Sequence, residues 1–222
     1  MRHSLRGVNV AFRRISRLGR EVLRFLLEGP PSNIYVELGP GFGRLPAIAT
    51  LMGMRSFLYD EDPSLRERYD HLSSLFNLGD RLRLTTIALE KLTYAHVPEG
   101  VGVVVAERVL HFLPYPSAVR LLRLLRTRTL PGGRFFLSLS GLSSPIGEGY
   151  PGRDVPLEER FHPPRRDVGE RLRISTPVCL YSAEDVRTLA EEVGGLKEIS
   201  LRITDFGNVE AIYERLPDGR PL

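Results

Sequence analysis

Apolar residues recur at three- and four-residue steps from Phe12 through Ile15, Leu18, Val22, Phe25 and Leu26, and Gly29-Pro30-Pro31 follows. That spacing predicts an amphipathic helix within residues 1–31, stopped by the glycine and prolines, with arginines on its other face. The period then changes. Short apolar runs near residues 34, 55, 83, 101 and 134 alternate with helical patterns over 44–54, 64–78 and 117–129. Such alternation predicts a parallel sheet with helices packed on it. Val101-Gly102-Val103-Val104-Val105-Ala106 has no polar position, so it predicts a central strand buried on both faces. Near the C-terminus, Ser182-Ala183-Glu184-Asp185 opens a capped helix that runs to Val193 and ends at Gly194-Gly195. Strands over 199–206 and 209–214, joined by Gly207-Asn208 as a tight hairpin, would add an antiparallel last pair. The expected fold is α/β and doubly wound: a seven-stranded, mostly parallel sheet with an antiparallel last strand and helices on both faces.

Between residues 141 and 177 the periodicity fails. This stretch holds six of the seventeen prolines and many charges, and a loop of that length inside a compact domain predicts a lid. Its position after the fifth strand puts it on the rim where such sheets bind ligands. A chain of 222 residues is long enough for one core, so residues 1–222 are expected to form a single domain. Cys179 is the only cysteine, which excludes an internal disulfide. No apolar run approaches the roughly 20 residues of a membrane span, and the expected location is cytoplasmic.

The chemistry concentrates in Tyr35-Val36-Glu37-Leu38-Gly39-Pro40-Gly41-Phe42-Gly43-Arg44. An apolar strand ends in an acid, and three glycines at alternate positions lead into a helix. Glycine tolerates φ > 0 and lets a ligand lie against bare backbone. Dinucleotide turns place a third glycine where Arg44 stands here. The stretch instead resembles motif I of the class I S-adenosylmethionine-dependent methyltransferases. Three further segments match in order: Asp60-Glu61-Asp62-Pro63 after the second strand, Val109-Leu110-His111-Phe112-Leu113-Pro114 after the fourth, and Leu130-Pro131-Gly132-Gly133 before the fifth.

The resemblance implies S-adenosyl-L-methionine as cofactor and methyl transfer as activity. It places Glu37, Gly39, Pro40, Gly41 and Gly43 around the methionine end, and Asp60, or Glu61 one position on, at the ribose diol. Ala88 and Leu89 fall at the adenine. Ala88 stands where many members have an acid, and Gly102 replaces a common aspartate. Glu107 and His111 are the catalytic candidates at the exit of strand four, Glu107 also as a cofactor ligand, while Tyr150, Arg153, Arg160 and Tyr181 on or beside the lid are candidates for binding the acceptor. No metal site is expected. The strand-four exit lacks the Asn/Asp-Pro-Pro-Tyr/Phe turn of adenine and glutamine methylation, and Cys179 is misplaced for methylation at cytosine carbon 5. A small-molecule acceptor is the expectation.

The charge distribution supplies the alternative. Of 31 basic residues only Lys91 and Lys197 are lysine. Arg2, Arg6, Arg13, Arg14, Arg17, Arg20 and Arg24 face only Glu21 among the first 24 residues, and Arg120, Arg123, Arg126 and Arg128 lie on one helix. A catalytically inactive methyltransferase-fold module binding RNA or a protein through these arginines is therefore carried as the second reading. It ranks below the enzyme because no aromatic residues are interleaved for base stacking.

Overall fold

The computed structural model describes residues 15–219. Phe12 and Arg2, Arg6, Arg13 and Arg14 lie outside them. The described part of the first helix, α1 (Arg17–Glu28), starts at Ser16, whose extended backbone and Oγ, accepting from Gly19 N at 2.8 Å, make it the N-cap. Its apolar side, Leu18, Val22 and Phe25, is buried.

Strands β1 (Ile34–Leu38), β2 (Arg55–Asp60), β3 (Leu82–Thr86), β4 (Val101–Glu107) and β5 (Thr129–Leu139) pair in parallel. Helices α2 (Arg44–Leu51), α3 (Leu65–Leu75) and α4 (Tyr115–Arg128) connect them. The remaining elements are β6 (Phe161–His162), α5 (Arg166–Leu172), β7 (Val178–Cys179), α6 (Ala183–Val193), β8 (Leu196–Ile203) and β9 (Val209–Arg215). The main sheet has seven strands in the order β3-β2-β1-β4-β5-β9-β8, with β9 antiparallel to both its neighbours. The class I methyltransferase fold has this arrangement. The order reverses between β1 and β4, which opens a crevice at their carboxyl ends.

Side-chain alternation sorts the two layers. Val103 and Val105 of β4, with Tyr35, Phe136 and Ile212, pack under α1, α2 and α3. Val104 and Ala106, with Val36, Phe135 and Leu137, pack under α4 and α6. Strand β4 is buried on both faces, as its unbroken apolar run requires.

Several boundaries differ from the sequence expectation. β8 begins at Leu196, and the reversal to β9 is a wider loop in which Gly207 N donates to Thr204 O at 2.7 Å and Thr204 N to Asn208 O at 2.8 Å. Leu130-Pro131-Gly132-Gly133 bulges within β5, because Thr129 pairs with Val101 but Arg134 already pairs with Val103. The capping box of α6 forms as expected between Ser182 and Asp185.

The 141–177 segment is not a structureless loop. It contains α5, two short 3-10 turns and the first strand of a β6–β7 ribbon. Ile146, Tyr150 and Ile174 pack with Val178 and Leu180 into a small core of their own. Periodicity missed these elements because α5 spans only seven residues and β6 and β7 two each.

Candidate functional site

At the exit of β1, Gly39, Gly41 and Gly43 all take left-handed backbone, with φ of 60°, 53° and 76°. Two of them also lack room for a side chain. A Cβ on Gly39 would lie 2.7 Å from Val109 Cγ2, and one on Gly43 would lie 2.8 Å from the Tyr69 ring. Gly39 N donates to Tyr59 O at 2.9 Å, and Tyr69 Oη donates to Gly41 O at 3.2 Å. The loop is thereby held between β2, the β4 exit and α3.

At the exit of β2, Asp60 Oδ1 accepts from Asp62 N at 3.0 Å, and Asp62 Oδ1 accepts from Ser64 N at 2.9 Å at the start of α3. Asp60 O accepts from Ile87 N at 2.8 Å, which fixes Ala88 and Leu89 just beyond β3 and beside Asp60. The expected ribose and adenine positions are therefore neighbours. Gly102 also has a packing reason to be glycine, since a Cβ there would lie 2.5 Å from Ser32 O.

Two carboxylates line the crevice. Glu37 is 5% exposed and accepts a short hydrogen bond from Tyr35 Oη. Burial lifts its carboxyl to about 8; the Tyr35 bond opposes the rise and the Glu107 charge adds to it. Glu107 accepts from Ser16 Oγ at 3.1 Å. Burial raises this carboxyl too, against Arg108 and the Ser16 bond and with help from Glu210. Among the described residues, neither acid has a basic side chain within ion-pair distance. Buried acids without a cation are costly unless they stay protonated or a ligand supplies the charge. The cleft between them measures about 40 Å³ and is walled by Ile15, Ser16 and Gly19 on one side and by Pro40, Phe42 and Gly43 on the other.

Next to Glu107, Arg108 holds φ 56°, a strained value for a residue with a side chain. Its N–H donates to Ser138 O at 2.7 Å. His111 is buried against the Phe112 ring, with centroids 4.2 Å apart, and its Nδ1 has no hydrogen-bond partner. Burial, then the Arg108 charge, push the imidazole down to about 3, so it is neutral at ordinary pH.

Of the side chains expected at the acceptor, Tyr150, Arg153 and Arg160 have internal hydrogen-bond partners. Tyr150 Oη donates to the carbonyls of Arg160 and Val178, and Arg153 donates to Leu142 O and Gly147 O at 2.8 and 2.9 Å. Arg160 pairs with Asp185 at 2.5 Å and donates to Leu180 O and Val155 O. Tyr181 is fully buried, with its hydroxyl toward the Cys179 thiol. These four build the 141–181 region, and none lines the cleft between Glu37 and Glu107. Arg160 in particular has its guanidinium paired with Asp185.

Three site residues escaped the sequence reading. Ser16 was hidden because the helical period runs straight through it from Phe12. Tyr35 lies two residues before Glu37, which in a strand puts both on one face; that signal was present. Nothing in the sequence marks the left-handed backbone of Arg108.

No family model matches this sequence, and no curated protein sequence matches it. Solved structures do. A S-adenosylmethionine-dependent methyltransferase from Clostridium acetobutylicum superposes with a TM-score of 0.69 at 9% identity, covering 93% of this chain and 94% of that one. The mitomycin 7-O-methyltransferase MmcR gives 0.57 at 18% identity over 86% of this chain and 52% of its own. The pyocyanin biosynthetic protein PhzM gives 0.58 at 20% identity over 89% and 54%. The chain therefore spans about half the length of the last two, and it has the fold of the class I S-adenosylmethionine-dependent methyltransferases.

Proposed function

We propose that the chain transfers a methyl group from S-adenosyl-L-methionine to a small-molecule acceptor. The observation that carries the reading is the crevice itself: three left-handed glycines beneath a buried and a half-buried carboxylate, neither ion-paired among the described residues, with Asp60 at the neighbouring strand exit. The donor set fits the cofactor. Glu37 and Glu107 suit its ammonium, the backbone of Gly39, Gly41 and Gly43 its methionine carboxylate, Asp60 or Glu61 its ribose diol, and the backbone at Ala88 and Leu89 its adenine. The start of α2 behind Gly43 adds a favourable dipole for the carboxylate. When bound, the cofactor supplies a methyl already activated on a sulfonium.

The protein's part is orientation and exclusion of water, and orientation alone is worth roughly 7–11 kcal/mol. Glu107 at the β4 exit is the candidate to hold or accept a proton. His111, neutral and buried on the adjacent turn, is the second candidate; its low basicity makes it a hydrogen-bond acceptor before it is a base. The 141–177 segment, folded beside this turn, would form the outer wall of the acceptor space.

A small acceptor is supported by structural neighbours such as the mitomycin 7-O-methyltransferase. The arginines of α4 have internal partners: Arg120 donates to Glu90 O and Leu92 O, Arg123 to Glu192 O, and Arg128 to Glu99 and Tyr94 O. Those contacts, and the packing role of Gly102, weigh against the RNA- or protein-binding module. The test is titration calorimetry with S-adenosylhomocysteine. Wild type should bind, and Asp60→Ala should bind at least about tenfold more weakly, the worth of a lost charge-assisted diol contact. Absence of binding by wild type would end the reading.

A further inference from the structure

The first turn of α1 does more than begin a helix. Its cap residue, Ser16, uses its hydroxyl twice: the oxygen accepts from Gly19 N at 2.8 Å, and the proton goes to Glu107 Oε2 at 3.1 Å. The two ends of this bridge lie 91 residues apart in sequence. The turn is closely packed at Gly19, where a Cβ would lie 2.8 Å from Ile15 Cγ2 and 3.2 Å from Ser16 Oγ. Ile15, Ser16 and Gly19 thus form a wall of the crevice opposite Gly43 and narrow it to about 40 Å³. Pockets that hold drug-sized ligands measure roughly 300–1,000 Å³.

We propose that Ser16 is a positioning residue for the cofactor: its hydroxyl aims Glu107 into the crevice and couples the seating of α1 to cofactor affinity. This rests on the reading of the crevice as the S-adenosylmethionine site. The groups that face Glu107 are few. Arg108 follows it on the same strand, Glu37 faces it from β1, Ser138 is its register partner on β5, Glu210 stands one strand further on β9, and Ser16 comes from α1. Glu210 is itself paired with Arg202, Arg44 lines the same crevice, and Arg108 makes no ion pair with a described residue. The Ser16 proton is the only side-chain hydrogen bond that Glu107 receives among the described residues, so it decides which rotamer the carboxylate keeps. Without it, no described side chain holds the carboxylate toward the crevice.

Substitutions at Ser16 separate this role from that of a helix cap. Aspartate caps helices as well as serine does, but it cannot donate to Glu107 and repels it. Threonine can cap and donate. Calorimetry with S-adenosylhomocysteine, thermal unfolding and the titration of the Glu107 carboxyl carbon by NMR are read together on the full chain. Ser16→Asp keeps the cap and should unfold no lower than Ser16→Ala, yet bind about tenfold or more weakly, the size of one hydrogen bond to a charged group. In the NMR titration of the cofactor-free protein, its Glu107 midpoint should move upward. Ser16→Ala should show the same binding loss with lower thermal stability, and Ser16→Thr should restore both. The proposal is overturned if Ser16→Asp binds as wild type does or leaves the Glu107 midpoint in place. If wild type fails to bind at all, the cofactor reading fails and takes this proposal with it, whereas normal wild-type binding with an indifferent Ser16→Asp defeats the proposal alone.

Discussion

Glu37 offers the sharpest physical test, because it is a nearly inaccessible acid whose carboxyl titrates at about 8 instead of the ordinary 4.5. In the unfolded chain it ionises near 4.5; in the folded protein it keeps its proton through most of the interval up to about 8. The native state therefore binds more protons across that window, and stability must fall as pH rises. The penalty is absent below the lower value, grows between the two and levels off above the upper. Each pH unit of full difference is worth about 1.4 kcal/mol, and allowing for partial titration at both ends the fall from pH 5 to 8 is about 3 kcal/mol. Glu37→Gln keeps an acceptor for the Tyr35 hydroxyl and removes the titration. Urea unfolding of both proteins at pH 5, 6.5 and 8 should show curves that diverge, with the variant gaining on wild type by that amount. Parallel pH dependences would refute the argument, since they would mean that Glu37 is already ionised in the folded protein.

Gly43→Ala places a side chain at φ 76° and 2.8 Å from the Tyr69 ring, and should cost about 1–3 kcal/mol, read as a lower urea midpoint at unchanged slope. Gly102→Asp, which restores the acid common in relatives of this fold, meets Ser32 O at 2.5 Å; it should destabilise by about 1–3 kcal/mol without improving cofactor affinity in calorimetry. Arg160→Met leaves Asp185 without its cation and should cost about 3 kcal/mol, with faster proteolytic nicking between residues 141 and 177. Cys179 is fully buried and its thiol is pushed up to about 11 by that burial, so Ellman's reagent should label it only at the rate of global unfolding.

The sheet was legible because its signals are collective. An unbroken apolar run such as Val101–Ala106 has no other use than a strand covered on both faces, and the glycines after Glu37 sit where a corner needs left-handed backbone. The frame of the candidate site was legible for the same reason, as strand exits bring Glu37, Asp60 and Glu107 to one crevice by topology alone. The partners within the 141–177 segment were not. Arg153 and Arg160 read as candidates for an anionic acceptor in a proline-rich stretch, and their guanidiniums bind carbonyls that only the folded segment brings within reach. Short elements leave no period, so α5 and the β6–β7 ribbon were invisible. Ser16 was missed because a helix period says where a buried face runs and not where the first turn begins.

The place of β9 bears on how the chain acquires its fold as it is made. This strand, residues 209–215, lies between β5 and β8 and pairs with both. When only residues up to about 205 have emerged from a ribosome, β5 therefore presents a bare hydrogen-bonding edge with Phe135, Phe136 and Leu137 on it, and β8 has nothing to pair with. Such edges invite pairing between neighbouring chains. The growing polypeptide must thus wait for residues 209–215 before its sheet can close, and a stall or cleavage before Val209 would release an aggregation-prone intermediate in place of a smaller domain.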